Sequence, residues 1–378
     1  MTPMPANKVL KPRPFGGEQL IRAIELDAHC PSFLAYTLSA SVLKRQSIFA
    51  ALGMLEQEGP DLLAARLSAL TPAHYAVPSH PMARIAQALT VMRARTIVQA
   101  VFGAAPPGLL GMLSRLGDSP LPQRRFYRLI FEMFSNPEHR QRAEALLQIT
   151  GKISPSHIEI ARYLDPVLMH RNILNRISLS QVDDVNATLT LIRKTVSTAT
   201  DAALRQSIEQ IDPKTRLETF FSRWLKKVDQ PIASPQIPAD DPDLTLLATG
   251  EAMVALGRRF QNCLGSKTPF VATGRHAYVH WRHSPEAIAE LHRLSNGQFV
   301  LADVHTVLNQ RPDPGLVAAV RSKLQSLGIP ALETSEHDLR ACGVLRLAGA
   351  FDIIIGPRVF GDIDEQLNEL EREFADAA

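Results

Sequence analysis

The sequence predicts a predominantly α protein of the α+β class, an irregular helical array followed by a small α/β domain with an antiparallel hairpin sheet. Three observations predict it. Apolar residues recur at three- to four-residue spacing through most of the first 230 residues. A Pro/Asp-rich segment breaks that pattern at 229–243. Beyond it, runs rich in aromatic and β-branched residues flank an Asn-Gly pair.

Helical periodicity covers 18–28, 32–57, 60–70, 80–103, 107–116, 122–135, 138–149, 155–164, 167–177, 181–196, 199–210 and 214–228. Ser79-His80-Pro81, Asn136-Pro137-Glu138, Ser154-Pro155 and Asp212-Pro213 each put a capping residue at or near a proline suited to a first helical turn. No fixed period relates these segments, so they read as α-hairpins and not as a named repeat. Residues 1–17, with prolines at 3, 5, 12 and 14, are expected to form a flexible arm ahead of a helical domain at 18–228.

Residues 229–243 hold four prolines and four aspartates and read as a linker. A second domain is expected over 244–378. In it 244–262 reads as helix, 268–273 as one turn and 275–283 as a strand. Segments 287–294 and 298–306 form a hairpin closed by Ser295-Asn296-Gly297. A helix at 313–327 and a strand at 351–355 follow. The tail aligns Ile363, Leu367, Leu370 and Phe374 under an acidic face, a helix expected to dock in cis on the chain's own core.

Composition narrows the function classes. Cys30, Cys263 and Cys342 are too few and too scattered for a disulfide framework or a Cys-rich zinc site. Reduced thiols in a cytoplasmic protein are expected. The first residues have no apolar segment of a secretory signal, and no run approaches 18 apolar residues, so no membrane partner is expected. Net charge is +3 but unevenly placed: residues 1–230 carry 28 Lys+Arg against 19 Asp+Glu, and 231–378 carry 13 against 19. The first part is suited to an anionic partner and the second is not.

Several constellations could carry chemistry. Asp303 and His305 stand two apart on a strand and share a face. If that face meets Cys263, a nucleophile, base and orienting carboxylate result. Against this, Cys263 follows a helix, whose negative end disfavours a thiolate. The bland reading of Cys263 is a small buried apolar side chain. His276, His280, His283, His292 and His305 crowd into 30 residues. Without a matching Cys pair they read as solvated strand histidines, and no metal site is assigned. Arg93, Arg95, Arg124, Arg125 and Arg128, with Lys226 and Lys227, mix with aromatics in a pattern suited to nucleic acid or an acidic protein surface. The competing reading is core aromatics with a solvated basic face. There is no phosphate-binding loop, dinucleotide fingerprint or HExxH, and no cofactor is expected.

The order helix, Asn262-Cys263, turn, strand, hairpin and Asn309 before a second helix resembles the PcfJ-like family of bacterial plasmid and mobile-element proteins. The resemblance covers about 246–328. Gly257, Asn262, Cys263, Gly265, Gly274 and Asn309 match the family pattern. Asn262 stands where the family often has His, and Asp303-Val304-His305-Thr306 replaces its usual Gln-x-x-Gly. The resemblance implies a mobile-element context without specifying a reaction. Two functions are therefore expected: a binding or regulatory protein with a basic helical body, or a cysteine-dependent hydrolase or transferase using Cys263, His305 and Asp303.

Overall fold

The computed structural model describes residues 11–331 apart from 73 and 213. The expected strand at 351–355, the acidic C-terminal helix and Cys342 lie outside these residues.

Helices dominate the first two thirds of the chain. They are α1 (Glu18–His29), α2 (Phe33–Ser39), α3 (Val42–Glu58), α4 (Pro60–Leu70), α5 (Pro81–Val91), α6 (Ala94–Phe102) and α7 (Leu109–Leu113). Then follow α8 (Arg125–Ser135), α9 (Arg140–Gln148), α10 (Pro155–Tyr163), α11 (Arg171–Leu174), α12 (Val182–Thr195), α13 (Asp201–Glu209) and α14 (Leu217–Leu225). Ser154-Pro155 and Asn136-Pro137 cap as their chemistry dictates, whereas α14 starts at Leu217 behind Arg216 and not at the expected Asp212-Pro213. Ser154 and His157 form a reciprocal capping box, and Asn136 accepts from the Glu138 N–H at 3.0 Å. Two expected helices are each split. The run 32–57 breaks at Ala40, where Ser41 starts a new helix by accepting from the Lys44 N–H. The run 80–103 breaks at Met92-Arg93, both of which are extended.

The chain divides into two compact units. One runs through Asn186 and takes back Leu204–Pro213; the other combines Ala187–Ala203 with the chain from Lys214 onward. In the first unit α3 is enclosed on all sides, and every residue from Lys44 to Gly53 is buried. Arg45 lies at its heart. Its guanidinium donates to the carbonyls of Arg13 (2.7 Å), Thr37 (3.3 Å), Leu38 (2.8 Å) and Asp118 (2.7 Å). Residues 11–17 are consequently anchored, not a free arm. Arg13 pairs with Asp118, and Phe15 is buried against Phe49 with ring centroids 4.8 Å apart.

The second unit holds β1 (Leu244–Leu246), α15 (Gly250–Phe260), α16 (Thr268–Ala272), β2 (His276–Trp281), β3 (Ala287–Arg293), β4 (Phe299–His305) and α17 (Pro314–Ser326). The expected helix at 244–262 is thus a short strand plus a shorter helix. Leu244–Leu246 pairs with Trp281, His280 and Val279, and Thr249 caps α15 through the Ala252 N–H. Gly250 permits this junction, because a Cβ there would stand 2.2 Å from the Lys226 carbonyl oxygen. The Pro/Asp-rich segment lies inside this unit. Asp229 and Gln230 donate to the Thr195 carbonyl, and Lys323 of α17 pairs with Asp241 (2.9 Å) and Asp243 (2.7 Å).

The sheet order is β1-β2-β3-β4, antiparallel throughout. Alternation sends Ala277, Val279, Ala289, Leu291, Leu301 and Val304 to one face, packed with Leu316, Val320 and Leu324 of α17. The other face presents Tyr278 and Ile288 to Met253, Phe260, Leu264 and Val271. A bulge between Glu290 and Leu291 leaves Ala302 as an extra residue of β4, since Glu290 pairs with Asp303 and Leu291 with Leu301. The bulge resets the alternation, so that Val304 joins the α17 core and Asp303 and His305 turn to the opposite face.

Candidate functional site: a carboxylate among histidines

On the face away from α17, register places His276 opposite His292 and Tyr278 opposite Glu290. With His305 delivered by the bulge, three imidazoles converge on one carboxylate. Glu290 Oε1 lies 3.2 Å from His276 Nδ1 and 3.0 Å from His292 Nε2, while Oε2 lies 3.2 Å from His305 Nε2. The Glu290 side chain is only 14% exposed. Burial opposes its ionisation, but hydrogen bonds from His276, His292 and His305 outweigh that and hold the carboxyl well below the usual carboxylate range. The hydrogen bond to Glu290 raises His305 against an opposing effect of burial, with the charge of Asp303 adding to the rise. Burial also raises the Tyr278 hydroxyl, which is reinforced by Glu290 and by the charge of Cys263.

The segment after α15 covers this centre. Helix α15 ends with Gln261 in a left-handed conformation (φ 50°), and Asn262 Oδ1 accepts from the Leu264 N–H at 3.1 Å. Leu264 takes the buried position, which leaves Cys263 exposed. The expected buried, apolar Cys263 is therefore corrected: the tight turn sends the next residue inward instead. Phe270 of α16 stacks on His276 at 4.6 Å, and the His276 and His292 rings stack at 4.1 Å. The charge of Lys267 bears on His305.

The other expected residues fall into place around this loop. Gly257 and Gly265 allow close approach: a Cβ on Gly257 would meet the Gly265 nitrogen at 3.2 Å, and one on Gly265 would meet Val254 at 3.1 Å. Gly274 (φ 66°) and Asn309 (φ 55°) occupy left-handed turn positions. The motif positions other than Cys263 thus shape backbone. Asp303 Oδ1 accepts from the Val304 N–H at 2.7 Å, and the carboxylate hydrogen-bonded to His305 is Glu290 instead. His280 belongs to a separate cluster with Glu286 (3.0 Å) and Arg259 (3.1 Å), and His283 pairs with Asp243. Glu290 is absent from the candidates that residue type suggests. Its signal is a carboxylate between Ala289 and Leu291 in the otherwise apolar run 287–291.

The basic candidates sit on the two units. Arg93, Arg95, Arg124, Arg125 and Arg128 are exposed on the first, Lys226 and Lys227 on the second. Arg124, Arg125 and Arg128 pair with Glu56, Glu159 and Glu132 at 3.0–3.1 Å. Phe126, Tyr127 and Trp224 are buried. None of the described helices is long and apolar enough to cross a membrane.

No family model matches the chain, and neither a curated protein nor a solved structure was found to be similar to it.

Proposed function

We propose that the sheet unit is the working part of a cysteine-dependent hydrolase or group-transfer enzyme, with Cys263 as nucleophile, His305 as base and Glu290 as the positioning carboxylate. The observation that carries this reading is the His305–Glu290 pair, on the sheet face whose Tyr278 feels the charge of the exposed Cys263. Because His305 Nε2–H donates to Glu290, Nδ1 is the nitrogen left to take the thiol proton. The thiolate attacks an electrophilic acyl carbon, the protonated His305 returns its proton to the leaving group, and water then cleaves the thioester. Labelling with iodoacetamide, read by peptide mass mapping, tests this. Cys263 is expected to react at least tenfold faster than half-buried Cys30, and His305→Ala is expected to remove the difference. Equal rates for Cys263 and Cys30 in the folded protein refute the nucleophile.

A second reading draws on the mobile-element resemblance and on Arg93 and Arg95, exposed residues of the helical unit: this unit binds nucleic acid. The pairing of Arg124, Arg125 and Arg128 with carboxylates weakens it, as does burial of the aromatics that would stack on bases. A salt titration decides. Affinity that falls steeply with salt supports nucleic acid; absence of binding at low salt leaves an acidic protein surface as the partner class.

A further inference from the structure

We propose that His276, Glu290 and His292 form a binding site for a divalent cation of the zinc class, with His305 as its outer-sphere partner. The inference rests on the same Glu290 centre as the proposed enzyme but is independent of Cys263. The ligand atoms of the three residues lie within 4.8 Å of one another. A tetrahedral zinc ion with bonds of about 2.0–2.1 Å holds its ligand atoms about 3.3 Å apart. Glu290 Oε1 stands 3.2 Å from His276 Nδ1 and 3.0 Å from His292 Nε2, so two edges of such a tetrahedron are already set.

The two carboxylate oxygens divide the work. Oε1 faces the two imidazoles that would share the ion, and Oε2 faces His305. A ligating carboxylate whose second oxygen is held by a hydrogen-bond donor is the arrangement that fixes a metal ligand's orientation. Neutral imidazoles bind without net proton loss, by placing their single proton on the nitrogen away from the ion. His276 stacks between Phe270 and His292, with centroid distances of 4.6 and 4.1 Å, and to ligate, the two imidazoles splay apart to aim their in-plane lone pairs at one ion. Two nitrogens and one carboxylate oxygen suit zinc and leave a fourth position open. The His276 and His292 side chains keep 18% and 29% of their exposure, which gives an ion a route from solvent.

The full chain, stripped with a chelator, would be titrated with Zn²⁺ by calorimetry and with Co²⁺ by visible absorption. One ion per chain is expected, with cobalt bands of tetrahedral intensity. His276→Ala and His292→Ala should each abolish saturable binding. Glu290→Gln, which keeps the shape, should do so with the fold intact by near-ultraviolet circular dichroism. His305→Ala should weaken binding roughly 10- to 100-fold, and His283→Ala should leave it unchanged. No saturable binding by the wild-type chain, or binding that survives both His276→Ala and His292→Ala, overturns the site. If metal binding fails while Cys263 labelling still depends on His305, the cation falls and the enzyme reading stands. Metal binding with slow, His305-independent labelling leaves the cation site standing and removes the nucleophile.

Discussion

Each unit holds a largely buried charge, and the two charges are surrounded by opposite kinds of partner. Arg45 is met by four backbone carbonyls, those of Arg13, Thr37, Leu38 and Asp118. Glu290 is met by three imidazoles. A carbonyl oxygen is fixed by the chain around it and cannot take up or release a proton near neutral pH. An imidazole can turn, gain a proton or bind a cation. The same device, a desolvated charge met by polar partners, serves as a lock in one unit and, in the function proposed above, as a reactive centre in the other.

Substitution is the sharpest way to break this contrast. Arg45→Met strands four carbonyls in the first unit and is expected to cost about 3–5 kcal/mol in urea unfolding. Glu290→Gln should cost only about 1 kcal/mol, because its partners are side chains that can rearrange. Equal penalties would make Glu290 structural as well.

The neighbour of Arg45 supplies the next largest effect. Lys44 Nζ donates to the carbonyls of Thr90 and Met92, and burial lowers its pKa to about 8 from 10.5. Between those values the unfolded chain binds a proton that the folded chain does not, so stability rises with pH across that window. The rise should be on the order of 3 kcal/mol, and Lys44→Met should flatten it in denaturation curves recorded from pH 7 to 11.

In the second unit, Gly250→Ala drives a methyl group into the Lys226 carbonyl at 2.2 Å. It should cost about 2–3 kcal/mol by thermal unfolding, without altering the pairing of Glu290. The smallest effect has the opposite sign. Leu308 is 54% exposed and holds a left-handed backbone at φ 58°. Leu308→Gly should gain about 0.5–1 kcal/mol in the same measurement.

The helices were legible because their signals are local. Ser154-Pro155 and Asn136-Pro137 carry their own capping chemistry, and Asn296-Gly297 turns β3 into β4 with Gly297 at φ 90°. The segment 244–246 was not legible as strand, because three apolar residues acquire that conformation only by pairing with β2. The same holds for the site. Cys263, His305 and Asp303 could be picked out by residue type, but Glu290 gains its meaning from neighbours 14 residues before it and 15 after it, at His276 and His305. Arg45 was hidden for a similar reason: its carbonyl partners have no side-chain signature.

The bulge at Ala302 makes the site depend on chain length at some points of β4 and not at others. Leu301 and His305 lie on opposite faces because one surplus residue shifts the phase of β4 between them. An in-frame deletion of that single codon would place Asp303 directly after Leu301, restore regular alternation and leave His305 on the face of Glu290, whereas an in-frame insertion between Asp303 and His305 would swing His305 towards α17 with every side chain kept. Scanning by substitution would pass over this dependence on spacing; scanning by insertion would find it. The constellation is written partly in spacing, so a comparison of sequences can allow β4 a gap at Ala302 but none between Asp303 and His305.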